Sequence, residues 1–193
     1  HFTDRRQRQM CIRDRFSSDP DIAASFVAPI VEAMQDEGVA STAKHFIGDG
    51  GTLRGDDRGD TSMPLEELVA VHGQGYVEAI DRDVMSVMSS FNSWYGEKIH
   101  GSKAILTDLL RDDMGFEGMV VSDWNGVGEV LGCTNDNCAQ AINAGVDMVM
   151  APGNWKPLYY NMLDQVATGE ISMARINEAV ERKGVSCTHV DAL

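Results

Sequence analysis

Three short stretches of the chain carry polar and aromatic side chains of the kind that bind small molecules. They are residues 44–45 (Lys-His), 92–94 (Asn-Ser-Trp) and 123–124 (Asp-Trp). Charged side chains bind sugar hydroxyls through strong hydrogen bonds, and tryptophan can cover the apolar face of a sugar ring. The set favours a carbohydrate site, in which Asp123 is either a reactive carboxylate or a structural cap.

The first stretch lies at the end of a segment that is predicted to be a buried strand, and the other two follow such segments. The apolar run at 119–121 is bounded by Gly118, which is typical of a strand buried on both faces. Similar strands are predicted at 39–46, 84–91 and 147–151. Because these runs alternate with helical patterns, the sequence predicts a parallel α/β sheet with right-handed crossovers. The reactive stretches then meet at the carboxyl ends of the strands.

About four βα units are predicted, which is half of a (β/α)₈ barrel of roughly 250 residues. The fold class is therefore predicted as α/β, a partial (β/α)₈ TIM-type barrel. A doubly wound sheet would also place ligands at the carboxyl ends of its strands, so this placement alone does not choose between the two.

The first predicted helix begins at Asp19-Pro20, a good N-cap and first-turn pair, and ends at Gly38. Its apolar residues repeat at helical spacing, and Pro29 within it is expected to kink the helix. The repeating residues are Ile22, Phe26, Ile30 and Met34.

Composition excludes several classes of partner and cofactor. The formal charge of −14, from 30 acidic and 16 basic residues, argues against a nucleic-acid surface. No apolar stretch approaches the roughly 20 residues of a membrane span, so membrane insertion is not expected. The chain has no GxGxxG, P-loop, CxxC or EF-hand pattern, and neither a cofactor nor a metal is predicted.

Two of the four cysteines, Cys133 and Cys138, flank a polar loop at 134–137. They could form a small disulfide in an oxidising compartment, or they could remain two free thiols. The sequence leaves both alternatives open.

Four motifs, in order along the chain, resemble the barrel domain of glycoside hydrolase family 3. They are Lys-His-Phe-Ile-Gly-Asp-Gly-Gly-Thr at 44–52, Val-Met-Ser-Ser-Phe-Asn-Ser-Trp at 87–94, Val-Ser-Asp-Trp-Asn-Gly at 121–126, and the stretch 136–148. The bacterial β-glucosidases and exo-β-glucanases are the branch that the chain resembles most, over about residues 17–182.

The resemblance implies a retaining, exo-acting β-glucosidase or β-glucan glucohydrolase, with Asp123 as the nucleophile. It implies that Lys44 and His45 bind sugar hydroxyls and that Trp124 forms an aromatic wall beside the nucleophile. Asp49 and Trp94 lie in matching motifs and are further candidate substrate contacts. The implied substrate is a β-linked glucose oligosaccharide or glucan, and the implied location is periplasmic or extracellular.

No motif places His72 or His100 in the pocket, and His72 is predicted to be a packed histidine within a helix.

Both ends of the chain depart from the family pattern. Residues 1–16 contain five arginines and are predicted to be a foreign or misjoined segment, although a basic nucleic-acid arm is the alternative. Residues 17–182 are predicted to be the C-terminal part of the barrel domain, and residues 183–193 a divergent tail. In this branch the acid/base is a glutamate from a following α/β sandwich domain, so the resemblance implies that this group lies outside residues 1–193.

Two rival functions stay open at this point. The chain could be a non-catalytic sugar-binding piece, or a (β/α)₈ enzyme of another chemistry, such as an aldolase that forms a Schiff base on Lys44.

Overall fold

Strands and helices alternate along the chain in the computed structural model, which describes residues 17–191. The strands are β1 (Thr42–Phe46), β2 (Asp60–Thr61), β3 (Ser86–Ser89), β4 (Ser93–Trp94), β5 (Glu97–Lys98) and β6 (Met119–Val121). The α-helices are α1 (Pro20–Asp36), α2 (Leu65–Leu68), α3 (Gln74–Ile80), α4 (Ala139–Ala144), α5 (Trp155–Ala167) and α6 (Met173–Asp191). A π-helical segment, Val69–Gly73, joins α2 to α3, and a second π-helix spans Ala104–Asp113. The predicted foreign segment at 1–16 lies outside the described residues.

The central sheet has the order β1-β3-β6, and all its strands are parallel. Val87 on β3 is paired with Ala43 on one side and Val120 on the other, which sets the register across the sheet. Val87 and Val120 are completely buried, as a strand covered by helices requires. The predicted parallel α/β fold is confirmed.

The fourth predicted strand, 147–151, is present only as a single parallel bridge between Val121 and Met148. Side chains replace part of the regular ladder here. The Asp147 carboxylate accepts the Val120 N–H at 2.9 Å, and the Ser122 hydroxyl accepts the Met150 N–H at 2.8 Å. The segment thus lies beside β6, but the central sheet has three regular strands in the described part of the chain.

A second, smaller sheet connects the loops that follow β1 and β3. In it, β2 pairs parallel with β4, and β4 pairs antiparallel with β5. Each of these strands has two residues, which is too short for a period-two pattern to appear in the sequence. The small sheet ties two strand-end loops together.

Helix α1 packs against α3 and continues without interruption through Pro29. Asp19 caps it by accepting the Asp21 N–H at 3.0 Å. Val27 and Val31 face the core, whereas the residues whose spacing predicted the helix are 36–48% exposed. These exposed residues are Ile22, Phe26, Ile30 and Met34. The apolar repeat predicted the helix correctly, but the side of the helix that faces the core is the adjacent one, with Val27 and Val31.

A buried ionic network holds the second π-helix, Ala104–Asp113, and α6 against the amino end of segment 147–151. The Asp147 carboxylate is inaccessible to solvent and pairs with Arg111 at 2.6 Å, Arg175 at 2.7 Å and Arg182 at 3.3 Å. Burial lowers the pKa of Arg111 to about 10, against the opposing charge of Asp147. Arg175 and Arg182 also lie 3.9 and 3.7 Å from Glu178, so removing the Asp147 carboxylate would remove the main, buried partner that all three arginines share.

Within residues 17–191, no helix combines the length and the apolar character that crossing a membrane requires.

Candidate functional site

Asp123 lies just beyond the carboxyl end of β6, where the chain turns sharply. The Gly126 N–H donates to the Asp123 carbonyl at 3.0 Å, and Asn125 adopts a left-handed conformation with φ of 55°. Oδ1 of Asp123 accepts the Trp124 N–H at 2.6 Å. The Asp123 side chain is 14% exposed, and its other oxygen, Oδ2, faces His45. One carboxylate oxygen therefore caps the turn while the second points into the site.

His45 lies between two carboxylates. Its Nε2 is 3.5 Å from Oδ2 of Asp123, and its Nδ1 is 3.4 Å from Oδ2 of Asp49. The hydrogen bond with Asp49 is the main cause that raises the pKa of His45. Burial opposes this shift, the charges of Asp49 and Asp123 add to it, and Lys44 opposes it. The arrangement favours an imidazolium beside Asp123.

The loop that carries Asp49 is fixed by residues from the neighbouring strand ends. Asp49 accepts the Gly50 N–H through Oδ1 at 2.9 Å. The buried Asn92 donates to the Ile47 carbonyl and to the Thr61 hydroxyl, both at 3.2 Å. Asn92 is thus a structural link between the loops after β1 and β3.

Gly48 allows the same loop to pass close to α2. Its φ is 93°, and an added Cβ would lie 2.9 Å from Cδ1 of Leu68. The Thr61 hydroxyl donates to the Gly48 carbonyl at 2.7 Å. The glycine is therefore required by backbone conformation and by space.

Lys44 and Trp124, the sequence neighbours of His45 and Asp123, are both exposed. The Lys44 side chain is exposed, and it makes no ion pair with a carboxylate of the described residues. On the sequence alone, Lys44 and His45 could instead form a structural salt bridge with a nearby aspartate. In the described part of the chain, His45 contacts Asp49 and Asp123, whereas Lys44 makes no such pair. Trp124 is 59% exposed, so its ring is available to a ligand.

Trp94 has a different environment. Its indole N–H donates to the Met63 carbonyl at 2.9 Å, and its ring packs against the core and Tyr95. The protein itself therefore uses the only hydrogen-bond donor of this side chain. The sugar contact of Trp94 stays a prediction.

His100, which no sequence motif assigned to the site, lies beneath Asp123. The His100 side chain is completely buried, and its Nε2 accepts the backbone N–H of Asp123 at 2.9 Å. Burial, together with the charge of Lys98, lowers the pKa of His100 to about 3, and the Ser90 backbone opposes the shift. His100 is therefore neutral, and nothing in the sequence signalled this contact.

His72 is half-buried within the π-helical segment, close to the loop after β1. A Cβ added at Gly51 would lie 2.7 Å from its Nε2.

Cys133 and Cys138 form a disulfide in the structure, with Cα atoms 4.9 Å apart. The enclosed loop is ordered by further bonds, because Asp136 accepts from Thr134 at 2.6 Å and from Asn154 at 3.2 Å. These two hydrogen bonds, that of Thr134 first, lower the pKa of Asp136. The loop follows the Asp123 turn in sequence, and the hydrogen bond from Asn154 fixes it to the start of α5.

A cavity of about 570 Å³ lies between α1, β1 and α3. It touches Lys44, His45 and Asp49, but Asp123 and Trp124 are not part of its lining. Its wall includes apolar residues of α1, such as Val27, Ile30 and Val31, so it adjoins the candidate site rather than containing it. Among the described residues, no group of three histidine, cysteine or carboxylate side chains could hold a metal ion.

Comparison with known proteins gives the same family as the motifs. The family model described as "Glycosyl hydrolase family 3 N terminal domain" matches residues 4–183. A β-glucosidase from Rhizobium radiobacter is 29% identical over 170 residues, which cover 86% of this chain and 19% of that protein. A β-xylosidase from Formosa agariphila is 30% identical over 190 residues, covering 89% of this chain and 26% of that protein.

Solved structures share the fold. The exo-1,3/1,4-β-glucanase from a Pseudoalteromonas species has a TM-score of 0.85 and 46% identity, over 86% of this chain and 22% of that chain. A β-glucosidase from Listeria innocua superimposes with a TM-score of 0.79 over 89% of this chain and 26% of that chain, at 24% identity. The chain thus spans about a fifth to a quarter of the length of these relatives. It belongs to glycosyl hydrolase family 3, of which it carries part of the N-terminal, (β/α)₈-type barrel domain.

Proposed function

We propose that the full-length protein containing this chain is a retaining, exo-acting β-glucosidase or β-glucan glucohydrolase with Asp123 as its nucleophile. The observation that carries the proposal is the position of Asp123 Oδ2, 3.5 Å from His45 Nε2 at the carboxyl ends of the strands. The 46% identity with the Pseudoalteromonas exo-1,3/1,4-β-glucanase supports a β-glucan substrate.

In the first step, Oδ2 of Asp123 attacks C1 of the terminal glucosyl residue while the bond from C1 to the leaving oxygen breaks. The leaving oxygen takes the electron pair and a proton from the general acid. Water then attacks C1 of the glycosyl ester, gives its proton to the same group, and frees Asp123 and glucose with retained configuration. The Trp124 N–H, which donates to Oδ1, keeps the carboxylate oriented for the attack.

The neighbouring residues bind the sugar in this proposal. A separation of 3.5 Å is too long for a strong hydrogen bond between His45 and Asp123, so the N–H of His45 can be offered to a sugar hydroxyl. The exposed ammonium of Lys44 supplies a second cationic donor, and Trp124 supplies an aromatic face. Asp49 acts through His45, whose other nitrogen it holds.

The acid/base is assigned to a glutamate on a following α/β sandwich domain of the same protein. A retaining glycosidase needs a second carboxyl group about 5–5.5 Å from its nucleophile. The carboxylate of Asp49 is already engaged with His45 and Gly50. The short span of this chain, 19% of the length of the Rhizobium radiobacter β-glucosidase, is consistent with an acid/base located elsewhere.

A periplasmic or extracellular location belongs to the same proposal. The disulfide between Cys133 and Cys138 supports it, because disulfides persist in oxidising compartments.

Covalent labelling tests the proposal. Dinitrophenyl 2-deoxy-2-fluoro-β-glucoside should inactivate the full-length protein, because its fluorine slows hydrolysis of the glycosyl ester while its activated leaving group keeps formation of that ester fast. Peptide mass spectrometry should place the label on Asp123, and Asp123→Asn should abolish labelling. Asp113→Asn, at an exposed aspartate of the second π-helix, is the matched control and should be labelled normally.

Other results would change the conclusion. A label on another residue would contradict the assignment of Asp123. Glucose binding without labelling would indicate a non-catalytic sugar-binding protein, and borohydride trapping of a carbonyl substrate on Lys44 would indicate the aldolase chemistry. Faster hydrolysis of aryl xylosides than of aryl glucosides would move the substrate class toward that of the Formosa β-xylosidase.

A further inference from the structure

His100 lies beneath the turn that carries Asp123, although 23 residues separate the two in sequence. It belongs to the 3₁₀ turn Ile99–Gly101, whose residues are all buried. Its Nε2 accepts the Asp123 N–H at 2.9 Å, and its ring centroid is 6.0 Å from that of Phe91. A fully buried polar side chain is thus bonded directly to the backbone of the proposed nucleophile.

The imidazole ring also fills the space under Gly126. A Cβ added at Gly126 would lie 2.3 Å from Nε2 and 2.4 Å from Cε1 of His100. The turn at 123–126 therefore closes onto the ring, and the ring has no room to shift toward it. On the other side, Gln140 donates to the Gly101 carbonyl at 3.2 Å, which fixes the turn to α4.

We propose that His100 is a positioning residue, whose neutral Nε2 holds the peptide N–H of Asp123 and thereby fixes the direction of the reactive carboxylate. The inference rests on the proposed function, since it concerns the same nucleophile. His100 does not touch the sugar in this assignment, and its effect passes entirely through the Asp123 peptide.

Two contacts on Asp123 explain how the backbone sets the carboxylate. Oδ1 is held by the N–H of Trp124, the next residue, so the orientation of the carboxylate follows the orientation of the adjoining peptide groups. If the Asp123 N–H lost its acceptor, a part-buried donor would be left unsatisfied and the turn would rotate to find another partner. Oδ2 would then move relative to His45, and small displacements of a reacting group have large effects on rate.

Two amide variants form a matched pair for the test, because they differ by one methylene group. In His100→Gln, the amide oxygen can reach the position of Nε2, whereas in His100→Asn it reaches only that of Nδ1. His100→Phe removes the acceptor but keeps the ring. Ile99→Ala, at a fully buried neighbour in the same turn, loses packing without touching the hydrogen bond.

The readout is inactivation of the full-length protein by dinitrophenyl 2-deoxy-2-fluoro-β-glucoside, separated into a binding constant and a first-order rate constant. Relative to wild type, we expect the rate constant to fall roughly 10- to 100-fold in His100→Asn and His100→Phe, and only about 3-fold in His100→Gln. The binding constant should be unchanged. Thermal unfolding is recorded for each variant, so that loss of the folded state is separated from slow chemistry.

The outcomes separate the positioning role of His100 from the proposed role of Asp123 as the nucleophile. A folded His100→Phe or His100→Asn that reacts as fast as wild type would overturn the positioning role. Equal slowing in His100→Gln and His100→Asn, or equal slowing in Ile99→Ala, would show that packing alone is at work and would also overturn it. Absence of labelling at Asp123 in wild type would overturn the proposed function itself, and the inference with it.

Discussion

Nε2 of His45 lies 3.5 Å from Oδ2 of Asp123, and this contact joins the end of β1 to the end of β6 across the sheet. It brings a cation to the oxygen that points into the site. Asp49 holds the other ring nitrogen of His45, Nδ1. The charge of His45 therefore depends on a second carboxylate, on the side of the ring away from Asp123.

The pH dependence of the full-length protein should report this arrangement. The pKa of His45 is raised, chiefly by Asp49, so the imidazolium persists above the pH at which an unfolded histidine loses its proton. Its contribution to sugar binding and to stability is lost as pH rises through the raised pKa. We expect Asp49→Asn to move the alkaline limb of the kcat/KM profile to lower pH.

Asp57→Asn is the control for this shift, since Asp57 is an exposed aspartate of the same loop. An alkaline limb that stays in place in Asp49→Asn would show that Asp49 does not govern the charge of His45.

Trp124 should contribute to substrate binding without contributing to stability. Its ring is 59% exposed, so Trp124→Ala removes little buried surface. We expect KM for aryl glucosides to rise about 3- to 10-fold, from the loss of stacking on the sugar. Trp155→Ala, at a tryptophan that is 60% exposed on α5, should leave the kinetics unchanged. Equal effects of the two substitutions would argue against an aromatic wall at Trp124.

Asp147→Asn should strongly destabilise the chain. The substitution leaves the largely buried guanidinium groups of Arg111 and Arg175 facing a neutral side chain. Arg182, whose side chain is 25% exposed, also loses this partner but keeps Glu178 at 3.7 Å. Breaking a buried ion pair by removing one partner costs about 3–5 kcal/mol. Urea unfolding of the 193-residue chain measures this loss in the free energy of unfolding. Asp164→Asn on the exposed side of α5 should change it by less than about 0.5 kcal/mol, and a similarly small change for Asp147→Asn would refute the role of the network.

The disulfide should be detectable and stabilising. In a non-reduced digest, the peptide containing Cys133 and Cys138 should be lighter by two hydrogens than after reduction. Closing so short a loop restricts the unfolded chain by about 2 kcal/mol in the chain-entropy account. The double substitution of both cysteines by serine should lower the free energy of unfolding by that order. Free thiols at both positions in protein purified without reductant would contradict the pairing.

The 193-residue chain alone should hydrolyse cellobiose and laminaribiose far more slowly than the full-length protein. The proposed acid/base lies outside it, and general acid catalysis contributes about 10²- to 10⁴-fold. The deficit should be much smaller with dinitrophenyl glucoside, whose leaving group departs without a proton. Rapid cellobiose hydrolysis by the isolated chain would place the acid within these residues.

Much of the fold could be predicted, because its strands and helices depend on local patterns of apolar residues and turn residues. The strands near residues 46, 91 and 121 follow from short apolar runs, and the motifs at their ends pointed to Lys44, His45 and Asp123. The structure brings His45 and Asp123 together, and their role stays a proposal. The segment 147–151 also reads as a strand, but Asp147 and Ser122 supply side-chain acceptors that replace part of the ladder. A pattern of apolar residues does not record such replacements.

His100 could not be predicted for a different reason. Its partner is a backbone N–H 23 residues away, and a backbone group leaves no signature in the sequence of either segment. Trp94 shows the converse case, since it lies in a matching motif while its N–H is satisfied by the Met63 carbonyl. Residue type indicates what chemistry is available, and the folded neighbours decide whether it is already used.

Strand β6 has only three residues, and the Asp147 carboxylate accepts a hydrogen bond from the N–H of its middle residue, Val120. A slip of the pairing by one position would turn alternate side chains to the opposite face of the sheet. The Asp147 carboxylate, which three arginines surround, therefore fixes the alignment of the strand that leads to Asp123, the proposed nucleophile. Substitutions that repack the residues around Asp147 to raise thermal stability would therefore risk changing the orientation of the Asp123 carboxylate, even where the fold is retained.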